Sequence, residues 1–459
     1  MKNIFSNIVL GALLALSTSC TAEFTEEKSS DIESWPLPPT YTFSHPCMLH
    51  TDADFEYVRQ KALVEKKQPW LMGYEKLVES PRAKKNYVPR PQSSVVRGNG
   101  ATGFYVVGED GAAAYQLALM WKLTGDDAYA DASVNVMNQW AKTCKSITGT
   151  EAILVAGFNG YQYANAAEIM RDYEGWSKEE FELLKQWLVD VFYPICHTFL
   201  TDHNGSPAGM AWMSWDLPAM VTILSIGILC DDSDKVNEAL NYFYNGSGAG
   251  CIKLSVVAHH ADPDGNVETF AQSQEMGRDQ GHSTLNVPLH GYFCQMVLNA
   301  IDVDLFDYDN HVILDLCEYT AKYNLVKGEI PVMPYTPYYS EKEGWHNVID
   351  PDGQGRARVG WELIYNHYKL KGCNPYYSKA FARSMRPEGG GNRGSAEADD
   401  MGFGTLMYTR EPIEPGEDVA ADPERSERFD CVFKGKRIDR KSTRLNSSHI
   451  QKSRMPSSA

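Results

Sequence analysis

Apolar positions recur at helical spacing over most of the chain. Residues 110–123 (DGAAAYQLALMWKL) are rich in Ala, Leu and Met and stop at Thr124 and Gly125. Residues 126–142 follow, and Asp126 and Asp127 suit a helix N-terminus. This predicts a helix pair. The same grammar recurs at 162–171 followed by 177–191, where Ser177 and Glu180 are spaced as a capping box, and at 216–229 followed by 233–244. Further helices are predicted at 281–300, 310–323, 359–370 and from Pro375. Strand-like runs are few and short, residues 253–257 being an example. Successive helices joined by short connections pack antiparallel, and a long series of such hairpins closes into an α/α toroid. No repeat of 20 to 50 residues is present, which counts against a solenoid. The expectation is an all-α fold, a single (α/α) toroid or barrel of helical hairpins over residues 35–438.

The two ends stand apart from that pattern. Residues 1–20 combine Lys2, an apolar run at 8–16 and small residues before Cys20, the pattern of an export signal. The run is shorter than the roughly 20 apolar residues of a spanning helix, and no later segment reaches that length. Leu16 to Ser19 before Cys20 resemble a bacterial lipobox, with the leucine one place further from the cysteine than usual. A lipid at Cys20 is therefore the expected membrane link, with residues 21–34 as a tether. The corresponding location is the periplasm or outer membrane of a Gram-negative bacterium. Residues 439–459, with DRKSTRLNSSH and SRMPSSA, read as translated sequencing-adapter sequence, so a natural C-terminus is expected to be missing.

Composition narrows the function. Hydrophobic residues are 43% and charged residues 22%, enough apolar surface for a sizeable core. Asp and Glu total 60 against 43 Lys and Arg, a net charge of -17, which repels nucleic acid unless basic groups gather in one patch. Nucleic-acid binding is not expected. The ten cysteines include no C-x-x-C pair, and those other than Cys20 are scattered singly, as at Cys230 and Cys294. Buried free thiols are expected rather than a zinc or redox motif.

The densest polar cluster is residues 268–282, ETFAQSQEMGRDQGH. If helical, it places Gln274, Arg278 and His282 on one face, with Glu275 and Asp279 in the neighbouring stripe. An amide, a permanent cation and an imidazole are the groups needed to hold a carboxylate and move a proton at neutral pH. An Arg–carboxylate network capping a buried helix is the structural alternative. Gly277 and Gly281 point to close approach of backbone to something else.

SQEMGRDQGH, together with NGYQYANAAEIMRDYEGW (159–176), HNG (203–205), WMSWDLPAM (212–220), LSIGILCDD (224–232) and EYTAKYN (318–324), resembles the alginate lyase superfamily. The likeness is nearest the branch classed as polysaccharide lyase family thirty-eight and runs in order over roughly residues 159–339. It implies an α/α toroid that cleaves uronic-acid polymers by β-elimination, with no cofactor and no catalytic metal, on an anionic polysaccharide such as alginate. Such chemistry requires neutralising the C6 carboxylate before a base takes the C5 proton, and a second group that protonates the leaving O4.

Carried over by position, Arg278 would bind the carboxylate and His282 would serve as base or neutralising group. Asn159, Gln274 and Glu275 would lie beside the substrate, and His203 with Asn204 is a further neutralising pair, although HNGSP also reads as a turn. Relatives often carry Asn where this chain has Ser214, and a hydroxyl neutralises a carboxylate less well than a fixed amide. The acid or base tyrosine is expected in PVMPYTPYY (331–339), at Tyr335, Tyr338 or Tyr339. Tyr292 is too far from Arg278, because 14 residues of helix span about 21 Å.

Weaker signals complete the inventory. Residues 98–103 fit G-x-G-x-x-G without a βαβ setting and read as a loop. The histidines and aspartates of 259–266 fit neither a zinc nor a calcium site, and His260 is a minor substrate-binding candidate. Arg90 and Arg97 are candidate contacts for an anionic polymer. Two other functions remain open: glycoside hydrolysis by Asp216 with Glu275 or Asp279, and a surface lipoprotein that binds glycan without cleaving it.

Overall fold

The computed structural model describes residues 40–326, 328–390 and 399–410, and two short strands near the C-terminus. The chain divides into two units, Met1–Leu37 and Pro38–Ala459. The segments expected to be an export signal, a lipid site at Cys20, a tether and an adapter-like end lie outside the described residues.

Helices carry the fold. In chain order they are α1 (Asp52–Arg59), α2 (Trp70–Glu79), α3 (Phe104–Thr124), α4 (Asp127–Thr143), α5 (Ala152–Met170), α6 (Lys178–Trp187), α7 (Tyr193–Asp202), α8 (Met213–Leu229) and α9 (Ser233–Asn245). The turn α10 (Ile252–Ser255), α11 (Gln280–Ile301), α12 (Tyr308–Asn324), α13 (Trp361–Leu370), α14 (Tyr376–Met385) and the short α15 (Gly404–Met407) follow. The strands pair in twos: β1 (Ser94–Val96) with β2 (Ser146–Thr148) in parallel, and β3 (Val256–Ala261) with β4 (Thr269–Ser273) antiparallel. Likewise β5 (Tyr338–Ser340) pairs antiparallel with β6 (Gly344–His346), and β7 (Cys431–Phe433) with β8 (Lys436–Ile438).

Burial sorts the helices into two layers. Helix α5 is buried at every position after its first, and α8 is buried everywhere except Trp215. Helices apolar on all sides belong inside. They form the inner ring, α3 on α5, α5 on α8, α8 on α11 and α11 on α13, with α15, α2 and α1 leading back to α3. The outer partners are amphipathic: α9 buries Val236, Ala239, Leu240 and Phe243 and leaves its other face to solvent. The toroid of hairpins expected from sequence is the observed architecture. Close packing of α5 on α8 depends on Gly160, where a Cβ would stand 2.5 Å from a Thr222 methyl. None of the described helices is long and apolar enough to cross a membrane.

The eight cysteines whose side chains are described are free thiols, six of them buried. Residues 253–255, expected as the start of a strand, lie in the turn α10, and the strand begins at Val256.

An ionic clasp ties the segment before α1 to the inner ring. His45 Nδ1 lies 2.7 Å from Glu168 Oε1 and Nε2 lies 2.9 Å from Asp231 Oδ1, while Arg171 Nη2 lies 3.1 Å from the second Glu168 oxygen. Burial favours the neutral imidazole, but hydrogen bonds with Cys47, Glu168 and Asp231 outweigh it and raise the His45 pKa to about 10. An unfolded histidine titrates near pH ~6.5. The clasp therefore stabilises fully below that value, and its contribution fades as pH rises through about 10. In urea unfolding, His45→Asn should be less stable than the parent at pH 6, with the gap shrinking as the pH approaches 10. A pH-independent gap would contradict the charged pairing.

Candidate active site

The polar cluster of residues 268–282 folds as strand, turn and helix. Strand β4 ends at Ser273, Gln274–Gly277 form a single 3-10 turn, and α11 begins at Gln280. The expected single helical face is therefore wrong. Asp279 takes an extended backbone (φ -173°) and caps α11, its Oδ1 accepting from the His282 N–H at 2.8 Å. An aspartate at the N-cap satisfies an orphan helix donor, which competes with continuing a helix through it. Gly277 fixes the break, since a Cβ there would lie 2.6 Å from His346 Cβ and 2.7 Å from the Tyr335 hydroxyl oxygen.

Two side chains of the turn hold the start of α8. Gln274 Oε1 accepts from the Met213 N–H at 3.0 Å and Glu275 Oε1 from the Ser214 N–H at 2.9 Å. These are orphan donors of a helix N-terminus, and a carboxylate there is favoured by the helix dipole. The second Glu275 oxygen accepts from Arg278 Nη1 at 3.2 Å, and Ser214 Oγ accepts from the same nitrogen at 3.2 Å. The guanidinium lies over Trp212, 4.8 Å from the ring centroid. Arg278 is thus aimed by three groups, with a side chain 18% exposed, while Glu275 is completely buried. Ser214 acts here on the arginine.

His282 projects from the first turn of α11 with its side chain 37% exposed. Its Nδ1 lies 2.5 Å from Asp279 Oδ2. With Nδ1–H donating to the carboxylate, the lone pair falls on Nε2, for which the described residues supply no partner. Burial pushes the Asp279 carboxyl up, but the hydrogen bonds and charge of His282 outweigh it and hold the group below the ordinary carboxylate range. Arg278 Nε is 3.8 Å from the same Asp279 oxygen. A guanidinium, an oriented imidazole and a carboxylate therefore share one place at the N-terminus of α11.

The proline-rich loop brings its tyrosines to this turn. The Tyr338 hydroxyl donates to the Gln274 carbonyl, and the Tyr335 hydroxyl donates to the His346 carbonyl at 3.2 Å. The Tyr338 ring stacks on His346 at 4.9 Å, and His346 meets Trp212 edge-on at 5.7 Å. His346 Nδ1 donates to the Gly277 carbonyl at 2.8 Å. Burial pushes the Tyr335 phenol up to about 12. Burial, with the neighbouring Tyr335 and Glu275, raises Tyr338 further. Both are neutral proton donors at ordinary pH. Tyr339 points outward against Trp345, both exposed.

Other expected residues lie in separate networks. His203 is buried, with Nε2 3.3 Å from Asp216 Oδ1 and 3.2 Å from the Tyr242 hydroxyl, so its ring fixes α8 and contacts neither Arg278 nor His282. Asn204 is exposed in a left-handed turn (φ 57°), as the turn alternative held. Asn159 is buried and its amide donates to the Val155 carbonyl of its own helix. His260 Nε2 pairs with Gln272 Oε1 at 3.0 Å beside Tyr319. Arg97 pairs with Glu151 at 3.1 Å, and Arg90 with Glu109. The carboxylates weighed for glycoside hydrolysis are occupied: Asp216 is fully buried and accepts from Tyr242 and from the Gly250 N–H, Glu275 holds Arg278, and Asp279 holds His282.

Two clusters bear on cations. His45, Cys47 and Glu168 place donor atoms within 4.8 Å of one another. Both His45 nitrogens already face carboxylates, so the ring is a cation without the lone pair a metal needs. In the 259–266 turn, Asp262 accepts from the Asp264 and Asn266 N–H groups, and the buried Lys322 ammonium stands 2.5 Å from Asp262 and 3.0 Å from Asp264. A lysine occupies the place a cation would take. The residues 98–103 close a turn through reciprocal hydrogen bonds of Val96 and Thr102, and Gly103 opens α3.

Sequence reasoning missed Trp212, His346 and the 350–358 segment that packs on the start of α11. Their contacts are long-range, and the local hints were Gly277 and Gly281.

The family model described as alginate lyase matches residues 64–330. Among solved structures, the chain is similar to alginate lyase A1-III from Sphingomonas species A1, with 13% identity and a TM-score of 0.51 over 80% of this chain and 100% of the other. An A1-III variant complexed with a tetrasaccharide gives 0.52 at 13% identity, over 80% and 99%. An alginate lyase from Bacteroides ovatus gives 0.50 at 13% identity, over 80% and 100%. No curated protein matches the chain by sequence.

Proposed function

Because the chain belongs to the alginate lyase family, we propose that it cleaves a uronic-acid polymer by β-elimination at the Arg278, Asp279 and His282 site. The observation that carries this reading is the half-exposed His282, oriented by Asp279 and placed beside a buttressed guanidinium. With Nη1 on Glu275 and Ser214 and Nε facing Asp279, Arg278 presents Nη2 to the C6 carboxylate, and neutralising that group acidifies the C5 hydrogen. His282 Nε2 takes the C5 proton. The electrons of the C5–H bond become the C4–C5 double bond, the C4–O4 bond breaks, and O4 receives a proton. Tyr338 and Tyr335, which burial keeps protonated at ordinary pH, are the phenols assigned to the last step. The family's tetrasaccharide complex supports an oligosaccharide as the bound form. Export and lipid attachment at Cys20 belong to the same proposal and rest on the pattern of residues 1–20.

The test is incubation with a panel of purified uronans, alginate among them, followed by ultraviolet absorbance of 4,5-unsaturated chain ends. Absorbance that rises with at least one uronan is the expected result. Retained affinity with unchanged chain length on every polymer would overturn the reading in favour of a glycan-binding protein.

A further inference from the structure

Resting on the lyase reading, we propose that Tyr339 and Trp345, on the outer face of the β5–β6 hairpin, form a second sugar-binding platform, on which a pyranose of the uronan outside the reacting unit stacks. The hairpin has two unlike faces. In its ladder Tyr338 stands opposite His346, and Tyr339 opposite Trp345. Side chains alternate across a strand, so the two pairs point to opposite sides. The Tyr338 and His346 rings stack at 4.9 Å and turn inward, where the Tyr338 hydroxyl meets the Gln274 carbonyl and His346 Nδ1 the Gly277 carbonyl. The Tyr339 and Trp345 rings turn outward, 5.8 Å apart at 70°, and the two residues are 61% and 65% exposed.

The platform is therefore continuous with the candidate active site. Tyr338 and Tyr339 are consecutive, as are Trp345 and His346, so a single thickness of two-stranded backbone separates the rings from the turn that carries Arg278. Scattered apolar side chains are ordinary on a surface, but a cross-strand pair of rings presents two aromatic faces meeting at a corner. One face of a pyranose is lined by C–H groups and packs on such a ring, while its hydroxyls stay in water.

Area and charge favour a sugar as the occupant. An aromatic side chain buries about 150 to 250 Å² at most, so two rings fall well short of the roughly 800 Å² a side of a stable protein interface. They match one or two sugar units. A chain of net charge -17 repels a polyanion over most of its surface, and an uncharged ring pair receives one without that repulsion. The acids at the tip of the hairpin are turned elsewhere. The Glu341 carboxyl lies against Gly209, where a Cβ would stand 2.8 Å from its carbon, and Glu343 lies 4.0 Å from His346 Nε2. Between them Lys342 places its ammonium over Trp215, 5.1 Å from the ring centroid. A polymer held at the platform raises the effective concentration of its other sugars at His282.

The test uses the full chain in the His282→Ala background, so that binding does not depend on turnover. Calorimetry measures affinity for the long uronans of the panel above and for disaccharides cut from them. Adding Trp345→Ala should weaken the long polymer about fivefold to fiftyfold, leave the disaccharide within about twofold, and leave the thermal unfolding midpoint unchanged. Trp345→Phe keeps a ring and should recover most of the loss. Ile330→Ser, which removes an exposed aliphatic side chain of the preceding loop, should change neither affinity. In the otherwise unaltered chain, Trp345→Ala should raise KM on the polymer and leave kcat within about twofold. Unchanged polymer affinity, an equal loss on polymer and disaccharide, or a lowered midpoint would each overturn the platform and leave the lyase reading standing. Self-association in sedimentation that Trp345→Ala abolishes would assign the rings to a second copy of the chain and overturn it too. A parent chain that loses polymer affinity with Trp345→Ala but forms no unsaturated ends would overturn the lyase reading alone.

Discussion

His282→Ala should lower kcat on a cleavable uronan by about a hundredfold to ten-thousandfold, the usual contribution of a positioned general base. The chain should remain folded, because the side chain is 37% exposed and its loss opens no core cavity. The Asp279 cap of α11 survives the substitution, since it accepts from the backbone N–H of residue 282. Circular dichroism and the thermal midpoint should therefore match the parent while kcat collapses. Asp279→Asn separates orientation from proton transfer. An amide at that position can present its NH₂ to Nδ1, which moves the lone pair off Nε2 and places the imidazole in the wrong tautomer for attack on C5. Its kcat should also fall steeply. A His282→Ala enzyme within about threefold of the parent would remove the imidazole from the mechanism.

Glu275→Ala should cost about 3 to 5 kcal/mol of folding stability, the range for breaking a buried ion pair from one side. The carboxylate is fully buried and does two jobs, accepting from the Ser214 N–H at the start of α8 and from Arg278 Nη1. Its removal leaves a helix donor without its partner and a guanidinium held only by Ser214 and Trp212. Urea unfolding should show the loss. Turnover should fall with it, because the arginine would no longer be aimed. Glu275→Gln can keep one hydrogen bond to α8 and should lie between the two. Parent-like stability for Glu275→Ala would mean that the pair is already open to water.

Much of the fold was legible because outer helices advertise themselves by period. The 126–142 and 233–244 segments became α4 and α9 almost unchanged, each with an aspartate cap. The inner helices were harder. Helix α5 starts at Ala152, ten residues before the expected 162, because a segment buried on every side has no polar stripe to mark its ends.

At the site, residue identities were readable and the backbone was not. Gln274, Arg278 and His282 are spaced like one helical face, yet Asp279 stops any helix between them by capping the next one. The misreading still grouped Arg278 with His282, since the turn keeps them adjacent. Residues such as Asn159 and His203 carry suitable chemistry, but burial turns them to their own helix and to Asp216. Period cannot reveal that. Nor can it reveal Trp212 or His346, which meet the cluster only after the toroid folds back on itself.

Digestion of a cleavable uronan in heavy-oxygen water, read by mass spectrometry, separates elimination from every hydrolytic route. Elimination by Arg278 and His282 takes no water into the sugar, so each new non-reducing end should carry the double bond and no heavy oxygen should enter at the break. One heavy oxygen per cut, with saturated ends, would contradict elimination and with it the role assigned to His282.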